Sequence, residues 1–232
     1  MQDSDSIKYQ DCLRRDIIER YPLISEELPI DDERAVSHLS WDSATRNKVD
    51  HLKEVVKSMR IVRPDGNCFY RAFATRLIEL AHVNPDLKQK LLASFAHVPE
   101  SMEEFRDVFF DVLNDNQDPV YLDSSTDLYV IAFMRLLTSQ QLRENSDDYI
   151  PYLTSPFTSI DDFCRKEVEP MHRESDQIEI TALAHKLRVS VNVYYIDRSS
   201  EQFANVIKIG PTPSSEVISL VYKPGHYDIL YV

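Results

Sequence analysis

Apolar residues recur at a helical spacing along the first three quarters of the chain. From Cys68 to Ala81 they stand at Phe69, Ala72, Phe73, Leu77 and Leu80, which is roughly the 3.6-residue period of a buried helix. A shorter amphipathic segment covers residues 7–20. Further helices are predicted at residues 43–59, 86–96, 101–113, 126–145, 159–168 and 177–187.

Strands are predicted mainly near the end of the chain. Residues 189–196 alternate between apolar and polar positions, and residues 217–223 and 226–231 are rich in β-branched and aromatic side chains. The Pro224-Gly225 turn between the last two runs indicates a hairpin. A short strand is also expected to begin at Ile61-Val62. Helices followed by a small sheet of three C-terminal strands predict an α+β domain.

The composition suits one sizeable globular domain, since the chain has 232 residues of which 43% are hydrophobic. We expect this domain to span residues 41–232. Residues 23–40 are rich in acidic residues and proline, so we expect residues 1–40 to form an arm that is mobile or binds a partner. No internal repeat divides the chain.

Several functional classes are disfavoured by composition. Three widely spaced cysteines argue against a disulfide framework, and no long apolar run indicates a membrane span. A net charge of -13 disfavours nucleic acid and suits a basic partner, although solubility alone is an equally good reason for it. There is no Cys-x-x-Cys or His-Glu-x-x-His spacing and no glycine-rich phosphate loop. We therefore expect no metal and no cofactor.

Cys68 stands out from the other two cysteines because a turn precedes it. Pro64-Asp65-Gly66-Asn67 predicts that turn, and Asn67 is a favoured residue at a helix N-cap. The first turn of a helix stabilises a thiolate, and its unpaired amides can hold an oxyanion. Cys12 and Cys164 have no such setting and are expected to be buried apolar residues. Cys68 is therefore the candidate nucleophile.

His226 has the best-defined setting of the seven histidines. It follows Pro224-Gly225, and on a strand it shares one face with Asp228. A carboxylate in that position can orient an imidazole, as the third member of a catalytic triad does. Taken alone, a His-x-Asp pair is more often a surface feature. Together with Cys68 it predicts a triad of Cys68, His226 and Asp228.

Two motifs that contain these residues resemble the OTU (ovarian tumour) cysteine proteases, specifically the otubain subfamily. They are Asp-Gly-Asn-Cys-Phe-Tyr-Arg-Ala-Phe at residues 65–73 and Gly-His-Tyr-Asp-Ile-Leu-Tyr at residues 225–231. The resemblance extends over residues 45–232, and its further segments, in the otubain order, are 136–139 with 142–143, 163–171, 174–178 and 181–183. Several spaced motifs in one order are specific to a family.

The resemblance implies a papain-like OTU fold and a deubiquitinating enzyme, which cleaves the isopeptide bond between the C-terminal glycine of ubiquitin and a lysine amine. By analogy, Cys68 attacks the carbonyl, His226 takes and returns the proton, and Asp228 orients His226. Asp65 matches the loop aspartate of the family, whose neighbouring amides, with that of Cys68, contribute to the oxyanion hole. The implied partners are ubiquitin, polyubiquitin and ubiquitin-conjugating (E2) enzymes, and the implied location is the cytoplasm, with the nucleus left open.

Two further questions stay open from the sequence. The chain could instead be a ubiquitin-binding or E2-binding regulator with weak cleavage, in which residues 7–20 dock on the partner. The charged stretch 169–176, which has no clear period, predicts a loop. The resemblance implies that this loop lies near the catalytic cleft, and a direct substrate role and a plain linker between two helices are equal alternatives. His172 and His185 are expected to be surface or packing residues.

Overall fold

The computed structural model describes residues 16–115, 117–197, 199, 203–211 and 216–232. Residues 16–20 are helical, and the rest of the predicted amphipathic segment at 7–20 lies outside the described residues. The π-helical turn Cys164–Val168 continues the short helix that ends at Phe163. The labelled helices are α1 Glu33–Leu39, α2 Ser43–Leu52, α3 Cys68–Val83, α4 Pro85–Ser94, α5 Glu103–Asp115, α6 Ser124–Glu144, α7 Ser146–Tyr149, α8 Ile160–Phe163 and α9 Gln177–Leu187.

In the described part of the chain, one mixed sheet holds six strands, in the order β1-β2-β6-β5-β3-β4. The parallel pair is β3 and β5, and the other neighbours are antiparallel. The hairpin of β5 and β6 pairs Lys223 with His226 beside the turn. The strands are β1 Leu28–Pro29, β2 Ser58–Arg60, β3 Ser190–Tyr195, β4 Asn205–Ile209, β5 Val217–Lys223 and β6 His226–Tyr231.

The α+β class and the C-terminal hairpin are confirmed, but the sheet is larger than predicted. Strands β1, β2 and β4 add to the three expected from the sequence. The helix predicted over residues 43–59 ends at Leu52, because the chain turns there and enters β2. Val62 does not open a strand but forms an isolated bridge with Ile24. Strands of two or three residues are too short to show a period, so the sequence pattern does not predict them.

Residues 24–40 belong to the packed domain, so the boundary predicted at residue 40 is wrong in position. Leu28, Ile30, Val36 and Leu39 are buried. They form one apolar cluster with residues of α2, β2, β5 and β6. The acidic and proline-rich composition of this stretch concealed apolar positions that face the sheet. Residues 1–15 lie outside the described part of the chain.

Helix α3 passes through the main core and brings its first residue to the sheet. Phe69, Phe73 and Leu77 are fully buried, and the helix contacts β5 and β6 on one side and α5 and α6 on the other. Burying three such side chains contributes several kcal/mol, at about 1.5–3 kcal/mol each. This packing holds the amino end of α3 beside the strand that begins at His226.

Among the described residues, none of the helices is both long and apolar enough to cross a membrane.

Candidate active site

The turn before Cys68 depends on Gly66 for two separate reasons. Its φ is +78°, a left-handed conformation that strains residues with a Cβ atom. A Cβ atom there would also lie 2.4 Å from the carbonyl oxygen of His172. The close approach of two backbone segments therefore fixes the path of the chain into α3.

Asn67 occupies the predicted N-cap position, yet its side chain makes no capping hydrogen bond. Its Oδ1 accepts instead from the backbone N–H of His172 at 2.8 Å and from the guanidinium of Arg135 at 2.9 Å. The first hydrogen bond of α3 runs from Arg71 N to Asn67 O, at 2.9 Å. The amides before it have no intrahelical acceptor, so the amide of Cys68 remains able to bind an anion.

The side chain of Asp65 organises this turn and is not directed at the thiol. Its two carboxylate oxygens accept from Arg71 at 2.8 Å each, and Oδ1 also accepts from Asn67 N at 3.0 Å. Arg71 binds Asp127 on its other side, at 2.9 Å. Burial raises the pKa of both carboxyls; the hydrogen bonds from Arg71 outweigh it at Asp65, whose pKa is lowered, but not at Asp127.

The backbone amide of Asp65 already has an acceptor. It donates to the carbonyl oxygen of Arg63 at 3.0 Å. The backbone amide of Asn67 is also occupied, since it donates to the Asp65 carboxylate. Of the amides predicted to hold an oxyanion, that of Cys68 is therefore the better placed in this conformation.

His226 and Asp228 lie on one face of β6, as the strand alternation predicts. Nε2 of His226 is 2.8 Å from Oδ1 of Asp228, and the same oxygen accepts from the backbone N–H of Val62 at 2.8 Å. Asp228 is completely buried. Burial opposes its ionisation, but the charge and hydrogen bond of His226 outweigh that cost and lower the pKa of Asp228.

His226 is held in its protonated form by its surroundings. Burial disfavours the imidazolium, but the Asp228 carboxylate and, after it, the Cys68 sulfur raise the pKa of His226 to about 9. Nδ1 of the ring is buried without a hydrogen-bonding partner among the described nitrogen and oxygen atoms. Since Nε2 is bound to Asp228, Nδ1 is the nitrogen available to exchange a proton with the thiol. Cys68 and His226 are 3% and 5% exposed, so this pair is shielded from bulk water.

A second histidine, which the sequence did not single out, reaches the same carboxylate. Nε2 of His38 is 2.8 Å from Oδ2 of Asp228, and the Lys223 ammonium is 2.8 Å from Nε2 of His38. His38, His226 and Asp228 offer metal-ligand atoms within 4.8 Å of one another. Each carboxylate oxygen already accepts from a histidine, however, and a lysine cation stands beside the group. The arrangement therefore fits a hydrogen-bonded network better than a metal site.

The stretch 169–176 contacts both halves of the site. His172 has a φ of +64°, and its Nδ1 donates to the carbonyl oxygen of Asp65 at 2.8 Å. At the other end, the carbonyl oxygen of Ser175 accepts from the hydroxyl of Tyr227 at 3.3 Å, and Glu174 lies beside Gly225. This loop therefore connects the cysteine turn to the histidine strand. His172 binds the cysteine turn by a hydrogen bond, in addition to the surface or packing role expected for it.

Three site-forming residues escaped sequence reasoning. Arg135 carried a usable signal, because a cation inside the apolar run 131–137 needs buried acceptors. Lys223 and His38 carried no such signal in the sequence. Each is an ordinary polar residue in its own segment, and their meeting depends on how α1 packs on the sheet.

A family comparison covers nearly the whole chain. The family model described as Peptidase C65 Otubain matches residues 16–232. The chain is an otubain. The match begins well before residue 45, the first residue of the resemblance described above, and includes the segment that carries His38.

Other otubains and their structures are similar over almost the whole chain. The human ubiquitin thioesterase OTUB1 is 35% identical over 96% of this chain and 88% of its own. The Arabidopsis thaliana protein named OVARIAN TUMOR DOMAIN-containing deubiquitinating enzyme 1 is 28% identical over 97% and 86%. The solved structure of h/ceOTUB1-ubiquitin aldehyde-UBC13~Ub has a TM-score of 0.87 at 27% identity and covers 99% of this chain and 98% of that chain. These similarities confirm the otubain subfamily and the OTU fold predicted from the sequence.

Proposed function

We propose that this otubain is a deubiquitinating cysteine peptidase, which hydrolyses the isopeptide bond between the C terminus of ubiquitin and a lysine side chain. The observation that carries the proposal is that Cys68, His226 and Asp228, which are distant in sequence, are all buried, with His226 bound to Asp228 at 2.8 Å and the Cys68 sulfur helping to raise the pKa of His226. The names of the human and Arabidopsis relatives support the substrate class.

The reaction follows from the position of each group. The Cys68 thiolate attacks the carbonyl carbon of the isopeptide, and the oxygen that becomes negative is stabilised by the backbone N–H of Cys68. The His226 imidazolium then gives its proton to the departing lysine amine as the carbon–nitrogen bond breaks. A thioester between Cys68 and ubiquitin remains.

The second half of the cycle uses the same residues. His226, now neutral, takes a proton from water, which attacks the thioester carbonyl and releases ubiquitin with a free carboxylate. The thiolate and the imidazolium are restored. Throughout, Asp228 keeps Nε2 occupied, so that Nδ1 is the nitrogen that exchanges protons, and Asp65 holds the turn that carries Cys68.

We infer that ubiquitin and a ubiquitin-conjugating enzyme are the partners. The structure of the similar h/ceOTUB1 contains ubiquitin aldehyde and UBC13~Ub, and a second similar structure contains UBCH5B~Ub. The net charge of -13 suits a partner with a basic surface. Binding of a conjugating enzyme is also the basis of the alternative, a regulator with weak cleavage, but the buried Cys68 and the His226–Asp228 hydrogen bond support the peptidase.

A covalent probe tests the proposal directly. Purified protein is incubated with ubiquitin whose C terminus carries a thiol-reactive electrophile, and the products are weighed by mass spectrometry. The wild type and Cys164→Ala should each gain one ubiquitin, since burial raises the pKa of the Cys164 thiol and keeps it unreactive. Cys68→Ala should gain none. A wild-type protein that stays unmodified and also leaves di-ubiquitins of every linkage intact overturns the proposed function.

A further inference from the structure

We propose that His38 is a positioning residue, which fixes the Asp228 carboxylate from the side opposite to His226. The inference rests on the proposed function, and it adds to the site a residue outside the predicted triad. It follows from the shared carboxylate, the way α1 is held, and the charge beside it.

The two oxygens of the Asp228 carboxylate are bound by different donors. Oδ1 of Asp228 accepts from His226 and from Val62 N, and Oδ2 accepts from Nε2 of His38 at 2.8 Å. The contact must be a donation from the imidazole, because the carboxylate has no proton to give. A buried oxygen without this donor would lose a charge-assisted hydrogen bond and could rotate away from His226. His38 therefore controls the plane in which Asp228 meets His226.

Helix α1 is held in place by its own apolar face. Ala35, Val36 and Leu39 are buried, and the helix is capped by the side chain of Asp32, which accepts from Arg34 N at 2.8 Å. His38 lies in the last turn of this helix, and its side chain is only 16% exposed. The position of the imidazole is therefore determined by core packing and not by a flexible surface contact.

Lys223 joins His38 to the catalytic hairpin. Lys223 is the residue that pairs with His226 across the hairpin. Its ammonium donates to the carbonyl oxygen of His38 at 3.1 Å. Burial lowers the pKa of Lys223, and the Asp228 charge opposes that effect. The end of α1 is thus fixed to the β5–β6 hairpin beside the carboxylate.

The two histidine rings also meet directly. Their centroids are 5.8 Å apart, and the rings are inclined at 81°. His38 therefore limits the space into which His226 could swing as well as fixing its carboxylate partner. No part of this arrangement involves contact between His38 and the substrate, so the residue acts through Asp228 and His226.

Two nearly isosteric substitutions test the proposal. His38→Gln retains an N–H where Nε2 stands, whereas His38→Asn has its amide nearer the backbone, in the place of Nδ1. Both variants keep a neutral polar side chain at the same site. His97→Asn, at an exposed position, is the matched control for replacing a histidine with asparagine.

Two readouts separate positioning from general damage. The first is the kcat and KM for cleavage of a ubiquitin substrate; the second is the rate at which iodoacetamide alkylates Cys68, located by peptide mapping. We expect His38→Asn to lower kcat about tenfold or more, the effect of losing one charge-assisted hydrogen bond, with KM unchanged and a matching loss in the alkylation rate. His38→Gln should recover most of both rates, and His97→Asn should equal the wild type.

The outcomes are decisive in either direction. Equal rates in the Gln and Asn variants of His38, whether both high or both low, overturn the positioning role. A change confined to KM also overturns it. The alkylation measurement does not use ubiquitin, so it reports on His38 even if the substrate is another modifier. A wild type that cleaves no ubiquitin substrate while its alkylation still depends on His38 would refute the proposed function alone.

Discussion

The guanidinium of Arg135 donates to the side-chain oxygen of Asn67 over 2.9 Å, one residue before the candidate nucleophile. The same group donates to the carbonyl oxygens of Gly66 at 3.0 Å and Arg173 at 2.7 Å. Arg135 is almost entirely buried, and burial lowers its pKa. One cation in the middle of α6 therefore holds together the cysteine turn and the loop that reaches the histidine strand.

Replacing Arg135 by lysine should show how much these guanidinium hydrogen bonds contribute to stability and to activity. Lysine keeps the charge but cannot donate to three separate oxygens in fixed directions. We expect Arg135→Lys to lose stability by about 2–4 kcal/mol, since acceptors are left buried without donors, and to lose kcat as the turn loosens. Urea unfolding and cleavage kinetics measure the two effects. Arg143→Lys, in the same helix but more exposed, is the control, and losses of equal size in both variants would contradict the role of Arg135.

The charge of Asp228 should set the alkaline limit of activity. Burial alone would lower the pKa of His226, and Asp228 raises it to about 9. Activity that needs the imidazolium should therefore fall above about pH 9 in the wild type. In Asp228→Asn the raising charge is gone, so the limit should move to lower pH and kcat should fall at least roughly tenfold. A profile of kcat/KM against pH checks this, and an unmoved alkaline limb would count against the pairing.

The two glycines beside the site should respond differently to alanine. Gly66 and Gly225 have similar φ values, +78° and +77°. A Cβ atom at Gly66 would lie 2.4 Å from the His172 backbone, but one at Gly225 would lie 3.5 Å from the Glu174 carboxylate. Gly225→Ala should cost about 1–2 kcal/mol from backbone strain, and Gly66→Ala a further 1–3 kcal/mol from overlap. Thermal or urea unfolding measures both, and equal losses would show that the backbone overlap is relieved without cost.

Two truncations should separate the parts of the predicted N-terminal arm. Removing residues 1–15 leaves every described contact of the catalytic domain in place, so cleavage should be retained. Removing residues 1–40 also deletes β1, α1 and His38, and it exposes Met59 and Leu230 of the sheet. That variant should unfold at lower temperature and lose cleavage. An active, stable protein without residues 1–40 would contradict the structural assignment of this segment.

The sequence was sufficient where chemistry and local pattern coincide. The turn before Cys68 and the hairpin before His226 each combine a glycine, a strong periodic element and a reactive side chain, and both stand as predicted. Long helices such as α6 and α9 were also found, because several turns of one apolar face give a clear period.

What could not be read from the sequence depends on contacts between distant segments. Asn67 has the residue type of an N-cap, but Arg135 and His172 compete for its side chain. Strand β1 has two residues and no period, and it exists because β2 offers an edge. His38 gains its meaning only when α1 packs on the sheet. In each case a tertiary contact overrides or supplies what local propensity does not.

The sheet order has a consequence for how activity arises during folding. Asp228 receives its donors from Val62, 166 residues earlier, and from His38, 190 residues earlier. Contacts of such sequence separation close late, because the entropy of the intervening loop must be spent first. Helix α3 packs against β5 and β6, so the surroundings of Cys68 and the position of its base are completed by the same strands. The thiol therefore has its base only in the fully paired sheet.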